Sequence, residues 1–476
     1  GKRPWAAFRR GYLCGFLFFA GTLYWFFNIT RWFSYVAALG VLLLLLYLAL
    51  YFGAFALSYS FFSRRKPLFK LVLLPSAWVV LECLRAHLFS GFDWASLGQS
   101  QYKNLLMIQI ADITGVFGVS FLVVMVNVLF KEFIAAYFIR EAPEDQKALA
   151  VLTWVTAITV AIVLGYGTRH LSERRLAPRI SVAVIQPNIS QEMKWQESAK
   201  MIIIAKQIAL TKKAAEHEPD LIIWPETSYP DYLWDERQLF TQVQAFVRRI
   251  KIPLLLGSVI KEDEDYYNTA ILLSEDADIV EIYRKVHLVP FGEFIPLRRF
   301  LPLLSDVLNI GDFTRGEKRT VFPFSSGNKS GGLFSVLICF EDTVARLSRG
   351  FVREGAQVLV NMTNDAWFGD TKAPFMHLQS AVFRTIENRR ALVRAANTGV
   401  SCFIDQWGRT VNCVEGQRAG KEKKTYISGY AIGEVAFSEK ETFYTKFGDV
   451  FAIFCFGCIL MGIVRKKKEI RDNDKS

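Results

Sequence analysis

Charge is scarce in this chain. Only 21% of its 476 residues are Asp, Glu, Lys or Arg, 52% are hydrophobic, and the mean hydropathy is +0.22. That composition excludes a disordered protein and a coiled coil, and points away from a wholly soluble one. Cysteine is sparse too. Cys14, Cys83, Cys339, Cys402, Cys413, Cys455 and Cys458 are too few and too scattered for a disulfide framework. Cys455 and Cys458 lie in an apolar run and read as two small hydrophobes on one helix face. Whether Cys402 and Cys413 pair in an oxidising compartment stays open. The five His are dispersed, and there is no G-x-G-x-x-G, no Walker loop and no metal-ligand cluster, so no cofactor is expected.

The net charge of +12 is located as much as it is counted. Residues 179–445 hold 33 basic and 33 acidic side chains, and the other 24 basic and 12 acidic residues flank apolar runs. A nucleic-acid binder carries its basic patch on a folded domain; here the surplus suits membrane topology instead, and no nucleic acid is expected as a partner. About 20 mostly apolar residues span a bilayer. Five candidates precede residue 170: Gly11–Ile29, Phe33–Phe62, Leu71–Leu84, Leu105–Phe130 and Leu149–Tyr166. Phe447–Val464 is a sixth. The third is the weakest, interrupted by Pro75 and Glu82, and the fourth carries Asp112, expected at a helix break or near the interface. Six spans put three basic clusters on one side: Lys2, Arg3, Arg9 and Arg10; Arg64, Arg65, Lys66 and Lys70; and Arg465 with Lys466–Lys468. By the positive-inside rule residues 167–446 then lie on the outer face. The expected layout is membrane helices over 1–170, a catalytic domain over 179–435, a last span over 447–464 and a basic cytoplasmic tail over 465–476. No signal-peptide cleavage site follows Arg9–Arg10, and the first residue, Gly1, suggests an incomplete N-terminus.

Past residue 178 the pattern changes. Strands are predicted at Ile180–Ile185, Leu221–Trp224, Pro253–Ile260, Asn268–Leu273, Ile279–His287, Ser335–Phe340, Val358–Met362, Val400–Asp405 and Thr425–Ala431. Helices are predicted at Glu197–His217, Asp235–Lys251, Thr343–Glu354 and Met376–Ala396. Strands alternating with helices make an α/β layered domain. Three strand ends present one reactive group each: Glu226 after Leu-Ile-Ile-Trp-Pro, Lys285 and then Glu293 in the segment ending Val-Pro-Phe-Gly-Glu, and Cys339 at a strand-to-helix turn with Glu341 two residues on. A thiol is mostly protonated at neutral pH and needs a base or a cation beside it. A carboxylate can take its proton and an ammonium can stabilise both thiolate and oxyanion, which supports acyl transfer through a thioester. Taken singly, each of the three residues reads more plainly as core, cap or surface.

Their joint appearance resembles the carbon–nitrogen hydrolase (nitrilase) superfamily, with its Glu–Lys–Cys triad on an αββα sandwich, over residues 179–435. W-P-E-T at Trp224–Thr227, H-L-V-P-F-G-E at His287–Glu293, N-D-A-W-F-G at Asn364–Gly369 and Q-P-N-I-x-Q-x-x-K-W at Gln186–Trp195 are similar to the apolipoprotein N-acyltransferase family within it. The resemblance implies an α-helical transmembrane bundle joined to an extracytoplasmic α/β sandwich in a bacterial inner membrane. It implies Glu226 as general base, Lys285 as oxyanion stabiliser and Cys339 as nucleophile. Glu293, Glu341 and Phe340 are then supporting residues, and Trp195 has an acyl-pocket or gating role. Trp367 and Phe368 are expected to line the lipid entrance of the substrate-binding region or else simply to pack under a loop. Phe340 stands where some relatives have Tyr, so a hydroxyl is lost and the backbone N–H remains. The family has eight spans, so two are expected to be missing ahead of Gly1. The implied reaction moves an acyl chain from the sn-1 position of a phospholipid to the N-terminal amine of a diacylglyceryl apolipoprotein, in a monomer without cofactor. A membrane-anchored amidase acting on small amides is the alternative, and a transporter or scaffold the third reading. Pro290–Leu308, with Arg298, Arg299, Phe300 and Leu301, is expected to form a lid touching lipid or else an ordinary packed helix. Charges at Phe300 and Leu301 then impair lipid turnover. His287 shares a strand face with Lys285 and is expected to be structural.

Overall fold

The computed structural model describes residues 4–32, 36–63, 66–138, 146–173, 178–235, 237–296, 312–326 and 329–473. The chain divides into two compact units. One comprises Gly1–Tyr24, Leu39–Glu173 and Thr442–Ser476; the other comprises Trp25–Ala38 and Arg174–Glu441.

Among the described residues four helices of the membrane unit are long and apolar enough to cross a membrane: Ala37–Phe62, Pro67–His87, Val116–Tyr137 and Gln146–Leu171. Pro4–Thr22 reaches that measure only together with the broken-off helix Tyr24–Arg31, and Val450–Arg465 is a shorter apolar stretch of its own helix. The expected third span proves longer than its composition suggested. Two of its charged residues are buried against protein: Glu82 accepts the Leu97 amide at 2.8 Å, and Arg85 donates to the Trp94 carbonyl at 2.9 Å and the Ser96 hydroxyl at 2.8 Å. Two expectations need correction. The span drawn over Leu105–Phe130 is interrupted by short helices Leu105–Ile108 and Ala111–Thr114, and the long helix begins only at Val116. Gly115 makes the break at φ 63°, where a Cβ would come within 2.7 Å of the Tyr444 ring. Asp112 sits in that break as expected and accepts the Tyr166 hydroxyl at 2.8 Å. The first span, drawn over Gly11–Ile29, stops at Thr22, and Trp25–Ala38 belongs to the second unit. Trp25, which read as lipid-facing there, is fully buried in protein, whereas Tyr24 and Phe27 are exposed.

The second unit is an α/β sandwich. Its strands are β1 (Arg179–Gln186), β2 (Leu221–Ile223), β3 (Leu254–Glu262), β4 (Asp265–Leu273), β5 (Ile279–Arg284), β6 (Val321–Ser326), β7 (Lys329–Ile338), β8 (Val358–Thr363), β9 (Ala391–Ala396), β10 (Cys402–Ile404), β11 (Thr410–Val411), the small hairpin β12 (Gly416–Arg418) and β13 (Lys421–Lys423), and β14 (Gly429–Ala436). One six-stranded sheet runs β14-β1-β2-β3-β4-β5 and the other β11-β10-β9-β8-β7-β6. Val182, Val184 and Leu255 from the first sheet share one core with Val336, Val360 and Val393 from the second, so the sheets pack face to face. Helices Lys200–Ala215 and Arg237–Ile250 cover the first sheet through Ile204, Val243 and Val247. Helices Ala345–Arg353 and Ala373–Asn388 accompany the second, which completes four layers, αββα. β2, β8 and β9 are buried along their whole length, as interior strands covered on both faces must be.

The predicted helix Met376–Ala396 is wrong in its second half. It ends at Asn388, Arg389 turns the chain at φ 49°, and Ala391–Ala396 is β9. Alanine and leucine favour helix, but burial between two strands overrides propensity here. The strand expected over Ile279–His287 ends at Arg284, which frees Lys285 from the ladder. Nothing in the periodicity predicts β6, β11, β12 or β13. Residues 297–311, and with them Arg298, Arg299, Phe300, Leu301 and most of the expected lid, lie outside the described residues.

Candidate active site

The three reactive groups arrive from separate strand ends. Trp224 anchors the first, its buried indole donating to the Thr211 hydroxyl at 2.9 Å. Pro225 then breaks the ladder and delivers Glu226. The turn lies so close to β3 that a Cβ at Gly257 would stand 2.6 Å from the Pro225 carbonyl oxygen and 2.9 Å from the Glu226 Cα. Lys285 follows β5, buried, its Nζ 2.8 Å from Glu293 Oε1 and 3.9 Å from Glu226 Oε1. Asn268 on β4 joins the two carboxylates, donating to Glu226 at 2.9 Å and to Glu293 at 3.1 Å. Burial alone would push the Lys285 ammonium down, but Glu293 and Glu226 outweigh it and hold the pKa above its ordinary value.

Cys339 ends β7 at φ 53°, a left-handed conformation that a non-glycine residue adopts only under constraint. The constraint is visible. Asn361 donates to the Cys339 carbonyl at 3.1 Å, and His377 Nε2 lies 3.2 Å from the same oxygen. His377 is itself held between Asp342 at 2.8 Å and Asp365 at 2.9 Å, and Arg394 bonds both carboxylates at 2.9 and 3.1 Å. Two anions and two cations thus cancel in the interior behind the nucleophile. Burial opposes the imidazolium, yet the two aspartates overcome it and Arg394's repulsion, raising the His377 pKa to about 9. The Cys339 thiol is pushed well up, first by burial and then by the Glu226 charge, against the pull of Lys285. At neutral pH Cys339 therefore rests as a thiol.

Glu341 ties the two halves of the site together. Its Oε1 accepts the Tyr283 hydroxyl at 2.8 Å and the Val286 and His287 amides at 2.9 Å, and its Oε2 accepts the Ile338 amide at 2.8 Å. The segment bearing Lys285 is so fastened to the turn bearing Cys339. Burial raises the Glu341 pKa to about 7, with Lys285 and the N–H donors holding it back. In Glu341→Gln the amide oxygen can replace Oε1, but its NH2 then faces the Ile338 N–H donor. Opposing two buried donors costs about 1–3 kcal/mol. We expect a lower thermal midpoint and a kcat reduced more than KM; an unchanged midpoint would contradict the clamp.

Of the other expected site residues, Phe340 stacks on His287 with centroids 6.1 Å apart. Burial, reinforced by Arg346, Lys285 and Arg315, lowers the His287 pKa to about 4, so its ring is neutral. Trp367 and Phe368 pack on the Trp25–Ala38 segment: Phe368 lies edge-on to Trp25 at 4.7 Å, Trp367 to Trp32 at 6.1 Å, and Asn28 donates to the Phe368 carbonyl at 3.0 Å. Trp195 is not gathered into the triad, and its indole is 52% exposed. Its neighbour Lys194 is the residue that sequence reasoning missed. It is buried and donates to the Glu226 backbone carbonyl at 2.9 Å. Burial lowers its pKa to about 8, against the attraction of Glu226 and Cys339.

Residues 181–431 match the carbon-nitrogen hydrolase family model, and residues 1–129 match the apolipoprotein N-acyltransferase N-terminal domain. The chain is 37% identical to the apolipoprotein N-acyltransferase of Geobacter metallireducens, over 98% of this chain and 89% of that one. The chain belongs to the apolipoprotein N-acyltransferase family. Members from Allorhizobium ampelinum and Chlorobaculum tepidum are 31% and 30% identical, over 88% and 83% of this chain and 80% and 78% of theirs. Within an N-acyltransferase of this family, a buried Glu–Lys pair beside a half-buried Cys can activate a thiol, carry an acyl group and pass it to an amine.

Proposed function

We propose that this chain takes an acyl chain from the sn-1 position of a phospholipid, holds it as a thioester on Cys339, and passes it to the N-terminal amine of the diacylglyceryl-cysteine of an apolipoprotein. The observation that carries this is the meeting of Lys285 and Glu226 at 3.9 Å beside a constrained Cys339, in a chain of this family. Glu226 takes the thiol proton as sulfur attacks the ester carbonyl. Lys285 and backbone N–H groups of the Cys339 turn stabilise the oxyanion. Collapse breaks the ester bond, and the leaving sn-1 oxygen recovers the proton from Glu226, releasing a lysophospholipid. The amine then attacks the thioester, Glu226 takes its proton, and the thiol re-forms as the amide leaves. Glu293 keeps Lys285 charged, and Lys194 adds a second cation that balances the two carboxylates.

The substrates explain the membrane unit. Two lipids that diffuse in a plane are oriented and concentrated for an enzyme held at the same plane. Trp25–Ala38, between the first two spans, groups with Arg174–Glu441, and an odd number of crossings separates both from the basic residues at 9–10 and 64–66. This supports a catalytic domain over 179–435 on the periplasmic face, with 1–170 and 447–464 in the bilayer and 465–476 in the cytoplasm. Trp195, Trp367 and Phe368 then border the acyl path, and a single copy suffices.

The decisive assay supplies a radiolabelled phospholipid and a synthetic diacylglyceryl lipopeptide to the full chain in detergent micelles. N-acylated lipopeptide with an equal amount of lysophospholipid supports the proposal; release of ammonia from small amides without transfer supports an amidase and removes it. The same assay tests Lys194. Its proton is lost as pH rises through about 8, leaving two carboxylates against one cation, so the acylation rate of the wild type should fall above that pH. Lys194→Met should be slower at pH 7 and lack that falling limb; a variant with the wild-type profile would remove Lys194 from the mechanism.

A further inference from the structure

β10 and β11 end in a bulge that sets two thiols against each other. Phe403 pairs with Val411 and Ile404 with Thr410. Beyond them the Val414 amide donates to the Ser401 carbonyl at 2.9 Å. One residue, Cys402, therefore faces two, Asn412 and Cys413. Asn412 absorbs the extra length at φ 48°, and its side-chain amide donates to the Ile432 carbonyl at 3.1 Å. Opposed residues in an antiparallel pair have Cα atoms about 4.5–5.5 Å apart, within the range of about 4.4–6.8 Å that a disulfide bridges. The two thiols are near enough for each to shift the other's titration.

Their surroundings differ in a useful way. Cys402 is buried and Cys413 is half-buried. Lys424 Nζ donates to the Cys413 sulfur at 3.4 Å and is steadied by Glu415 at 3.0 Å. The Cys402 thiol, seconded by Lys424, pulls the Cys413 pKa down, while the same pairing and burial push Cys402 up. The outer sulfur is thus the thiolate that attacks, and the inner one is the resolving thiol. Neither belongs to the acyl-transfer machinery.

We propose that Cys402 and Cys413 form a disulfide by thiol exchange with a disulfide-bearing oxidant. The Cys413 thiolate attacks one sulfur of the oxidant and expels a thiolate, which takes up a proton. Cys402 then loses its proton and attacks Cys413, displacing the second thiolate. Two electrons and the Cys402 proton leave the protein, solvent supplies the other proton, and the oxidant becomes two thiols. The bond closes the β10–β11 hairpin. Cys402 lies across from Arg394 on β9, the cation that holds Asp342 and Asp365 behind the nucleophile. The link is therefore a staple on the scaffold of the active site.

The test uses the full chain in detergent, carrying Cys339→Ala so that the nucleophile does not consume oxidant. It is equilibrated with oxidised glutathione, alkylated and digested with trypsin, which cuts at Arg409 between the two cysteines. We expect linked peptides containing Cys402 and Cys413 that separate on reduction. We also expect a thermal midpoint roughly 5–10 °C higher for the oxidised form, from closing a loop of about ten residues. Cys402→Ser and Cys413→Ser should each abolish both effects. Full alkylation of both thiols, or a lasting glutathione adduct on Cys413, would overturn the disulfide; linked peptides with no change in midpoint would overturn the staple.

Discussion

Glu226→Gln should slow acylation of Cys339 by about 10³-fold, the loss typical when a positioned base is removed. The size follows from the state of the nucleophile. Burial, the largest of the causes that hold Cys339 as a thiol, persists when the Glu226 charge is removed, so no preformed thiolate covers for a missing base. The substitution is also structurally mild. The amide oxygen still accepts from Asn268, and Lys194 bonds the Glu226 backbone rather than its side chain. Stopped-flow measurement of lysophospholipid release checks the rate, and thermal unfolding checks the fold. A diagnostic accompanies the loss: raising the pH should partly restore the variant, because hydroxide replaces the base in forming the thiolate. A variant within tenfold of wild type at neutral pH would exclude Glu226 as the proton acceptor.

Lys285→Met should cost as much or more. Losing one oxyanion donor alone accounts for about 10²–10³-fold, and this lysine has a second task. Its ammonium lies between Glu293 and Glu226, which also share Asn268. Without it two buried carboxylates face each other, a situation that costs about 3–5 kcal/mol when one partner of a buried pair is removed. A lower thermal midpoint is therefore expected beside the lost rate. Adding Glu293→Gln separates the two effects: the double variant should regain much of its midpoint and none of its activity. Lys285→Arg should not rescue, since a planar fork does not fit a socket built for a point charge. Recovery of activity along with stability in the double variant would make Lys285 a folding residue only.

Much of this site is legible in the sequence because its parts are local. Trp-Pro-Glu after Leu221–Ile223 and Cys-Phe-Glu after β7 each announce a strand end with a reactive group, and Glu293 is found near Lys285 because both lie in one short segment. What was missed depends on the fold. Lys194 stands inside the Q-P-N-I-x-Q-x-x-K-W motif without a role, and only the return of the Glu226 carbonyl toward it makes it a buried cation. Asp342, Asp365, His377 and Arg394 come from four segments, and their charges are interpretable only once they cancel. In the fold, errors arose where one composition serves two environments. Trp25–Ile29 is as apolar as lipid-facing helix yet packs on Phe368 and Met376. Ala391–Ala396 has helical propensity yet lies between β8 and β10.

The central claim is that an acyl group rests on Cys339. Incubating the full chain with a palmitoyl phospholipid and no acceptor, then quenching in acid, should leave one palmitoyl group on the peptide that contains Cys339. That adduct should be cleaved by neutral hydroxylamine, be absent from Cys339→Ala, and disappear when lipopeptide is added before the quench. Palmitate found only elsewhere, or transfer to the lipopeptide proceeding undiminished in Cys339→Ala, would contradict the account.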